Sequence, residues 1–349
     1  MKVLAPVSSL EELKQAAASG ADEVYGGVLS ERWVARYSHL ASPNRVDRSN
    51  GNFASHEELK TAVAWAHANK VKVNVALNAL YSPAQQAMLA EELDRILDAG
   101  PDGLIVTDMG LLALLKNRKT NVKVHASTGT TAFNSRTVAF LKAQGADRIV
   151  LPRGLNKEEI RGLAEKNPEA AFEVFVMNGR CRNVDGFCTF QHGVSDLRAS
   201  RLNRFFISSR TGHRLQEMLI QSPQALRHCA MRLAGSSVCA TACALDYKVR
   251  PRQKGACRAP AFTDDAIDAM YSCAGCAIRD FAAWGIRVAK IVGRTFPIER
   301  KVKDVAYIKA LVEAAQKGGH DAASFNDHAR VTYRRIYGRD CGRNCYYPR

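Results

Sequence analysis

Short apolar runs alternate with longer amphipathic segments along most of the chain. Most runs are rich in Val, Ile and Leu, as expected for buried strands, whereas the segments between them repeat apolar residues every three to four positions. The first such segment begins with a capping box, in which Ser9 precedes Glu12 by three residues, and it ends at Gly20. The apolar runs predict eight strands, at residues 3–6, 23–27, 71–78, 103–108, 122–128, 148–153, 171–177 and 288–294.

This regular alternation predicts an α/β protein, namely a (β/α)8 TIM-like barrel, with a doubly wound open sheet as the alternative. A dinucleotide-binding Rossmann domain is disfavoured because no GxGxxG motif follows the first strand. Residues 28–54 are rich in Ser, Asn and Arg and are predicted to form a long irregular loop. The last amphipathic helix is predicted at about 302–317.

The alternation is interrupted between the seventh and eighth predicted strands. The first 180 residues contain no cysteine, but about a hundred residues after strand seven contain eight of the ten cysteines. We therefore predict that residues 1–300 form the barrel, with a cysteine-rich basic insert at 179–275. Residues 301–349 are predicted to form a C-terminal helix and a basic tail.

The cysteines of the insert have short paired spacings that are typical of metal sites. Buried inert thiols and disulfides are the alternatives; the clustering argues against the first, and nothing indicates an oxidising compartment. Zinc prefers two CxxC-like pairs, so an iron–sulfur cluster suits these thiolates at least as well. The three spacings are Cys181-x6-Cys188, Cys239-x3-Cys243 and Cys273-x2-Cys276.

The formal net charge is +16, and residues 190–260 carry twelve Lys and Arg against three acidic residues. Two interpretations explain this charge. The basic residues form a solvated surface, or they bind an anionic partner, either RNA or a small molecule. Phe205 and Phe206 lie within the densest part, where they are available to stack on bases. This arginine patch consists of Arg198, Arg201, Arg204, Arg210 and Arg214.

The N-terminus does not resemble a signal peptide, and no apolar run reaches transmembrane length. With ten cysteines and no export signal, the expected location is the reducing cytoplasm, without membrane insertion.

Polar residues at the predicted carboxyl ends of strands are the candidate site residues, because barrel enzymes place their chemistry there. We predict catalytic roles for His125, whose imidazole titrates near neutral pH, and for Arg153, whose guanidinium binds carboxylates in two-point fashion. A structural role for His125 remains an alternative. The predicted substrate-binding residues are Asn78, Asp108 and Arg294.

Several sequence motifs, in the correct order over roughly 300 residues, resemble peptidase family U32, the collagenase-like peptidases. The strongest is Glu173-x-Phe175-x5-Cys181-x4-Gly186-x-Cys188. The other similar motifs are Leu4-Ala5-Pro6, Gly20-Ala21-Asp22-x-Val24-Tyr25-x-Gly27, His125-Ala126-Ser127-Thr128, Cys239-Ala240-Thr241-Ala242-Cys243-x-x-Asp246-Tyr247 and Lys290-Ile291-x-Gly293-Arg294.

The resemblance implies an oxygen-independent hydroxylase with a [4Fe–4S] cluster, since several members have that activity. Their substrates are ubiquinone precursors, a tRNA uridine or a ribosomal RNA cytidine, with prephenate as the implicated oxygen donor, and some members act as pairs. By position, the resemblance assigns the cluster to Cys181, Cys188, Cys239 and Cys273, with Cys243 and Cys276 as alternates for the fourth ligand.

Two departures from the family pattern limit how far the substrate of known members can be assigned to this chain. Asn178-Gly179-Arg180 stands where the family usually has His-Gly-Ala/Ser, and about 50 residues separate Cys188 from Cys239. We therefore expect a hydroxylase of a small aromatic quinone precursor or an RNA base, acting as a homo- or hetero-dimer with another U32 protein. The alternatives are a U32-type peptidase, disfavoured by the absence of HExxH and GxSxG motifs, and a non-catalytic RNA-binding or assembly partner.

Overall fold

The structure of the protein is a computed structural model. It describes residues 1–37, 42–46, 51–118, 120–181, 184–186, 211, 272–342 and 344–347. The arginine patch, Cys188, Cys239 and Cys243 lie outside these residues, so the predictions that concern them stay predictions.

Eight parallel strands form a closed barrel in which each strand pairs with the next and β8 pairs with β1. The predicted (β/α)8 fold is therefore confirmed. The strands are nearly continuous apolar runs because both of their faces are covered, by the barrel interior and by the helices. They are β1 (Lys2–Pro6), β2 (Glu23–Gly26), β3 (Lys72–Leu77), β4 (Gly103–Val106), β5 (Lys123–Ala126), β6 (Arg148–Val150), β7 (Phe172–Met177) and β8 (Val288–Ile291).

Ten α-helices lie among the described residues, and most of them connect successive strands. No helix in this part of the chain combines the length and apolar composition needed to cross a bilayer. The helices are α1 (Leu10–Ala18), α2 (Glu31–Tyr37), α3 (His56–Ala68), α4 (Gln86–Asp98), α5 (Met109–Arg118), α6 (Ser135–Ala143), α7 (Lys157–Lys166), α8 (Ile278–Ala283), α9 (Ile298–Lys317) and α10 (Ala322–Tyr337).

Two helices correct the sequence analysis. Helix α2 lies within residues 28–54, so the prediction of an irregular loop there is wrong over Glu31–Tyr37. The buried Trp33 anchors it through ring contacts with Tyr37 and Tyr81, and such tertiary packing is not visible in local sequence.

Helix α10 was not predicted and occupies part of the basic tail. It begins after Asp321, whose side chain accepts a hydrogen bond from the backbone N–H of Ser324, and it buries Phe325 and Tyr333. It packs on α9, which crosses residue 300 and contacts β1 and α1. The predicted domain division at residue 300 stays a prediction.

The insert leaves and re-enters the barrel at one point beside the end of β7. The Asn178 N–H donates to the Ser272 carbonyl at 2.7 Å, and the Ala274 N–H donates to the Val176 carbonyl at 2.8 Å. Asn178 and Gly179 both have φ of 63°, in the left-handed region that turns the chain away from the strand. Residues 272–274 thus run antiparallel to the upper end of β7.

Candidate active site at the carboxyl end of the barrel

A cavity of about 260 Å³ opens at the carboxyl ends of the strands. Two aromatic rings, from Tyr25 and Phe175, line it together with apolar side chains. Its charged lining is entirely cationic among the described residues and consists of Arg45, Arg153, Lys290 and Arg294. The cavity therefore favours a ligand that is anionic and carries a flat or apolar group.

Lys290 lies at the floor of the cavity and is balanced by a buried acid. Its ammonium group donates to the Glu173 carboxylate at 2.7 Å and lies 4.4 Å from the centre of the Tyr25 ring. Burial lowers the pKa of Lys290, and the Glu173 carboxylate opposes that shift. The Lys290 charge is thus largely neutralised before any ligand binds.

Arg294 has a different environment, because none of the described carboxylates pairs with it. Its guanidinium donates to the Asn44 side-chain oxygen at 3.1 Å and to the Asn44 carbonyl at 2.6 Å. Burial, together with the charge of the neighbouring Arg45, lowers the pKa of Arg294 to about 10, although Tyr25 opposes the shift. A buried cation with only neutral acceptors is stabilised by an anionic ligand.

Arg153 is held by an acid from the start of the insert. Its Nε and Nη2 donate to the Asp185 carboxylate at 2.8 and 2.5 Å, and its Nη1 donates to the Gly179 carbonyl at 2.6 Å. The Thr128 hydroxyl donates to the same carboxylate at 2.9 Å. Although burial lowers the pKa of Arg153, the bonds to Asp185 hold it above its usual value. Arg153 therefore links β6 to the insert.

The structure places the other predicted site residues in three settings. Asn78 lines the cavity, and its Oδ1 has no partner among the described residues. Asp108 instead accepts hydrogen bonds from the Tyr81 and Leu111 N–H groups and so anchors the start of α5. His125 is buried in the barrel interior, where burial and the Arg148 charge lower its pKa to about 3. Its imidazole is neutral at pH 7, and its catalytic role stays a prediction.

The described cysteines lie around the upper end of β7, but their side chains face different surroundings. Cys181 is partly buried near Arg153 and Tyr346. The Cys273 sulfur instead accepts from the Gly275 N–H at 3.2 Å and lies 3.8 Å from the Tyr307 hydroxyl of α9. Burial raises the pKa of Cys273 to about 12. No three His, Cys, Asp or Glu side chains within the described ranges are arranged to hold a metal ion.

Sequence reasoning missed several residues that form this site. Lys290 and Glu173 stood within recognised motifs, but their pairing across β7 and β8 requires the barrel register. Asp185 and Arg45 lie in loops, where no local sequence pattern indicates that a residue belongs to the site. The C-terminal segment, residues 344–347, was assigned to a tail, although Tyr346 is buried and stacks on the cavity-lining Phe175.

Known proteins similar to this chain include RNA-modifying enzymes. The tRNA hydroxylation protein P of Haemophilus influenzae is 31% identical over 187 residues, which cover 54% of this chain and 38% of that protein. The 23S rRNA 5-hydroxycytidine C2501 synthase of Escherichia coli is 27% identical over 201 residues, covering 58% of this chain and 28% of that protein. The match thus spans less than half of these relatives' own length.

A solved structure and a family model complete the comparison. The structure of the U32 peptidase Mk0906 is 16% identical, with a TM-score of 0.42, over 54% of this chain and 73% of that one. The model of peptidase family U32 matches residues 8–203, from the end of β1 through β7 and into the insert. Because that match covers more than half of the residues, the chain belongs to peptidase family U32.

Proposed function

We propose that this protein is an iron–sulfur, oxygen-independent hydroxylase whose substrate is an RNA base, with prephenate as the oxygen donor. The observation that carries the proposal is the cationic cavity, in which Arg294 pairs with none of the described carboxylates and Arg153 lies close to Cys181. The RNA-modifying relatives favour an RNA base over the alternative, a small aromatic quinone precursor.

The cavity residues suit prephenate, a six-membered carbon ring that carries one carboxylate directly and a second one on its pyruvyl side chain. Arg294 is the proposed carboxylate ligand, because its Asn44 contacts orient the guanidinium without neutralising it. The Tyr25 and Phe175 rings offer flat surfaces for the ring of the ligand. Lys290 adds positive charge at the floor of the cavity, and its Glu173 contact fixes its position.

The donor chemistry of the site fits a cluster, because thiolates are the ligands that iron–sulfur clusters require. Cys181 lies at the cavity side, beside Arg153, and Cys188 and Cys239 are the matched partners outside the described residues. The Cys273 sulfur is packed towards α9, so its contacts favour the alternate Cys243 as fourth ligand. When bound, the cluster supplies an electron-transfer centre next to the cavity.

Anaerobic purification tests the cofactor. We expect a brown protein absorbing near ~400 nm with roughly four irons per chain. Cys181→Ser should lose the iron, while Cys229→Ser, outside the matched motifs, should keep it. A colourless protein that takes up no iron on reconstitution excludes the proposal.

Mass spectrometry of RNA tests the reaction. A deletion strain should lack one hydroxylated nucleoside, which the unchanged gene restores and Cys181→Ser does not. Restoration by Cys181→Ser would favour a non-catalytic RNA-binding or assembly partner. Cleavage of casein or denatured collagen by the pure protein would favour the peptidase alternative. Cytoplasmic location and pairing with another U32 protein stay predictions.

A further inference from the structure

The C-terminal segment is joined to the residues beside β7 by an isolated β-bridge. The Cys273 N–H donates to the Asn344 carbonyl at 2.9 Å, and the Tyr346 N–H donates to the Cys273 carbonyl at 2.8 Å. Cys273 and Cys345 are therefore directly opposite each other in a parallel bridge. Residues 344–347 thus extend the pairing that joins residues 272–274 to β7.

The contacts of Tyr346 place its ring against the barrel. The Tyr346 ring stacks on the Phe175 ring, with centroids 6.5 Å apart and an interplanar angle of 4°. Phe175 itself lines the cavity, so Tyr346 packs against a residue of the cavity wall, close to the lining residue Arg153.

The hydroxyl group of Tyr346 is buried but has no hydrogen-bond partner among the residues that the structure describes. Tyr346 is only 2% exposed, and the charged or polar groups around its hydroxyl include Arg153, Asp185 and Cys181. Arg153 and Asp185 already bind each other through two hydrogen bonds. A buried hydroxyl without a partner is destabilising, so its retention at a site points to a ligand.

The neighbouring Tyr347 provides a direct contrast. It is also buried, but its hydroxyl donates to the Phe175 carbonyl at 3.0 Å, and its ring packs edge-on against Phe281 at 5.2 Å. Tyr347 therefore has a complete structural role. Tyr346 has the ring contacts of a structural residue but leaves its donor unused.

We propose that the Tyr346 hydroxyl donates a hydrogen bond to a carboxylate oxygen of the small co-substrate, bound at the Arg153 side of the cavity. This inference rests on the proposed function and adds a binding residue from the C-terminal segment. Burial raises the pKa of Tyr346 well above its ordinary value, so the phenol remains a donor at any physiological pH. The Arg153 guanidinium beside it favours an anionic acceptor.

Paired variants of the two tyrosines test the inference in the full, anaerobically reconstituted protein. Tyr346→Phe should bind prephenate roughly 10-fold to 100-fold more weakly by calorimetric titration, because a hydrogen bond to a charged acceptor is lost. Its melting temperature without ligand should equal or exceed that of the unchanged protein. Tyr347→Phe should show the reverse, with unchanged prephenate affinity and a lower melting temperature.

The outcomes separate this inference from the proposed function. If the unchanged protein binds prephenate and Tyr346→Phe binds it equally well, the inference is overturned while the proposed function stands. A lower melting temperature for Tyr346→Phe with unchanged affinity has the same consequence, because it shows a purely structural hydroxyl. If the unchanged protein neither binds prephenate nor restores the hydroxylated nucleoside, the proposed function fails.

Discussion

Lys290 and Glu173 form an ion pair inside the barrel, with 2.7 Å between the ammonium nitrogen and a carboxylate oxygen. The other Glu173 oxygen accepts from Arg148 at 3.1 Å, and Arg148 also binds Glu23. These charges share one interior, so each acid balances a buried base. Removing one member leaves a charge without compensation, which costs more than the intact pair contributes.

Glu173→Gln should destabilise the protein by about 3–5 kcal/mol, because Lys290 and Arg148 lose their shared buried carboxylate. Urea unfolding at pH 7 measures the change. Lys123→Met is the control, since it breaks an exposed pair with Asp147 and should hardly move the urea midpoint. Similar midpoints for both variants would show that the interior pair is dispensable.

His125 should make the protein less stable as the pH falls from 7 to 5. Burial, followed by the Arg148 charge, lowers its pKa in the folded protein to about 3 from the ordinary 6.5, so between pH 7 and pH 5 only the unfolded chain takes up the proton. Unfolding is then favoured, by about 2 kcal/mol at pH 5 relative to pH 7. Urea unfolding at both pH values measures the difference. His125→Asn should abolish this part of the pH dependence. If the difference in unfolding free energy between pH 7 and pH 5 is unchanged in this variant, His125 is not the group responsible.

Arg294→Lys should weaken prephenate binding by roughly 10-fold or more, because a lysine cannot reproduce the two-point guanidinium contact. Calorimetric titration measures the affinity. The control is Arg118→Lys, the same substitution on the outer helix α5, away from the cavity. This variant should bind prephenate with unchanged affinity. Equal loss in both variants would show that the Arg294 guanidinium is not the carboxylate ligand.

The fourth cluster ligand is tested by two alanine variants. Cys243→Ala should lose the four-iron spectrum, whereas Cys273→Ala should keep it, because the Cys273 sulfur packs towards Tyr307. Iron analysis and visible absorption provide the measurement. The opposite result would return the fourth position to Cys273, as the motif position in the sequence indicates.

The arginine patch should contribute to RNA binding through its charge. If Arg201, Arg204 and Arg210 contact phosphates, each substitution by Ala should lower the slope of log affinity against log salt by roughly one. Filter binding to tRNA across a salt series measures this slope. Undetectable RNA binding at low salt would favour the small aromatic substrate.

The barrel itself could be predicted because its signals are local. Ser9, Ser55 and Asn156 cap the starts of α1, α3 and α7, and Gly20, Gly100 and Gly145 follow the ends of α1, α4 and α6. Helix α2 could not be predicted in this way, since the contact of Trp33 with the distant Tyr81 ring stabilises it.

The candidate site was only partly predictable. Asn78, Arg153 and Arg294 line the cavity because strand ends meet at one face of a barrel. The partner of Arg153 was not visible, because Asp185 is brought to it by the turn at Asn178 and Gly179. Tyr346 is separated from Phe175 by more than 170 residues, and no local pattern reports so distant a stacking contact.

The backbone contact between Asn178 and Ser272 has a consequence for the evolution of this fold. The 93 residues between them begin and end at adjacent backbone positions, joined by one 2.7 Å hydrogen bond. The entropy of closing a loop grows only with the logarithm of its length, so doubling such a segment costs about 0.6 kcal/mol. The barrel can therefore exchange, shorten or extend what it carries at this junction with little effect on its own stability. New substrate ranges can arise there without redesign of the strands beneath.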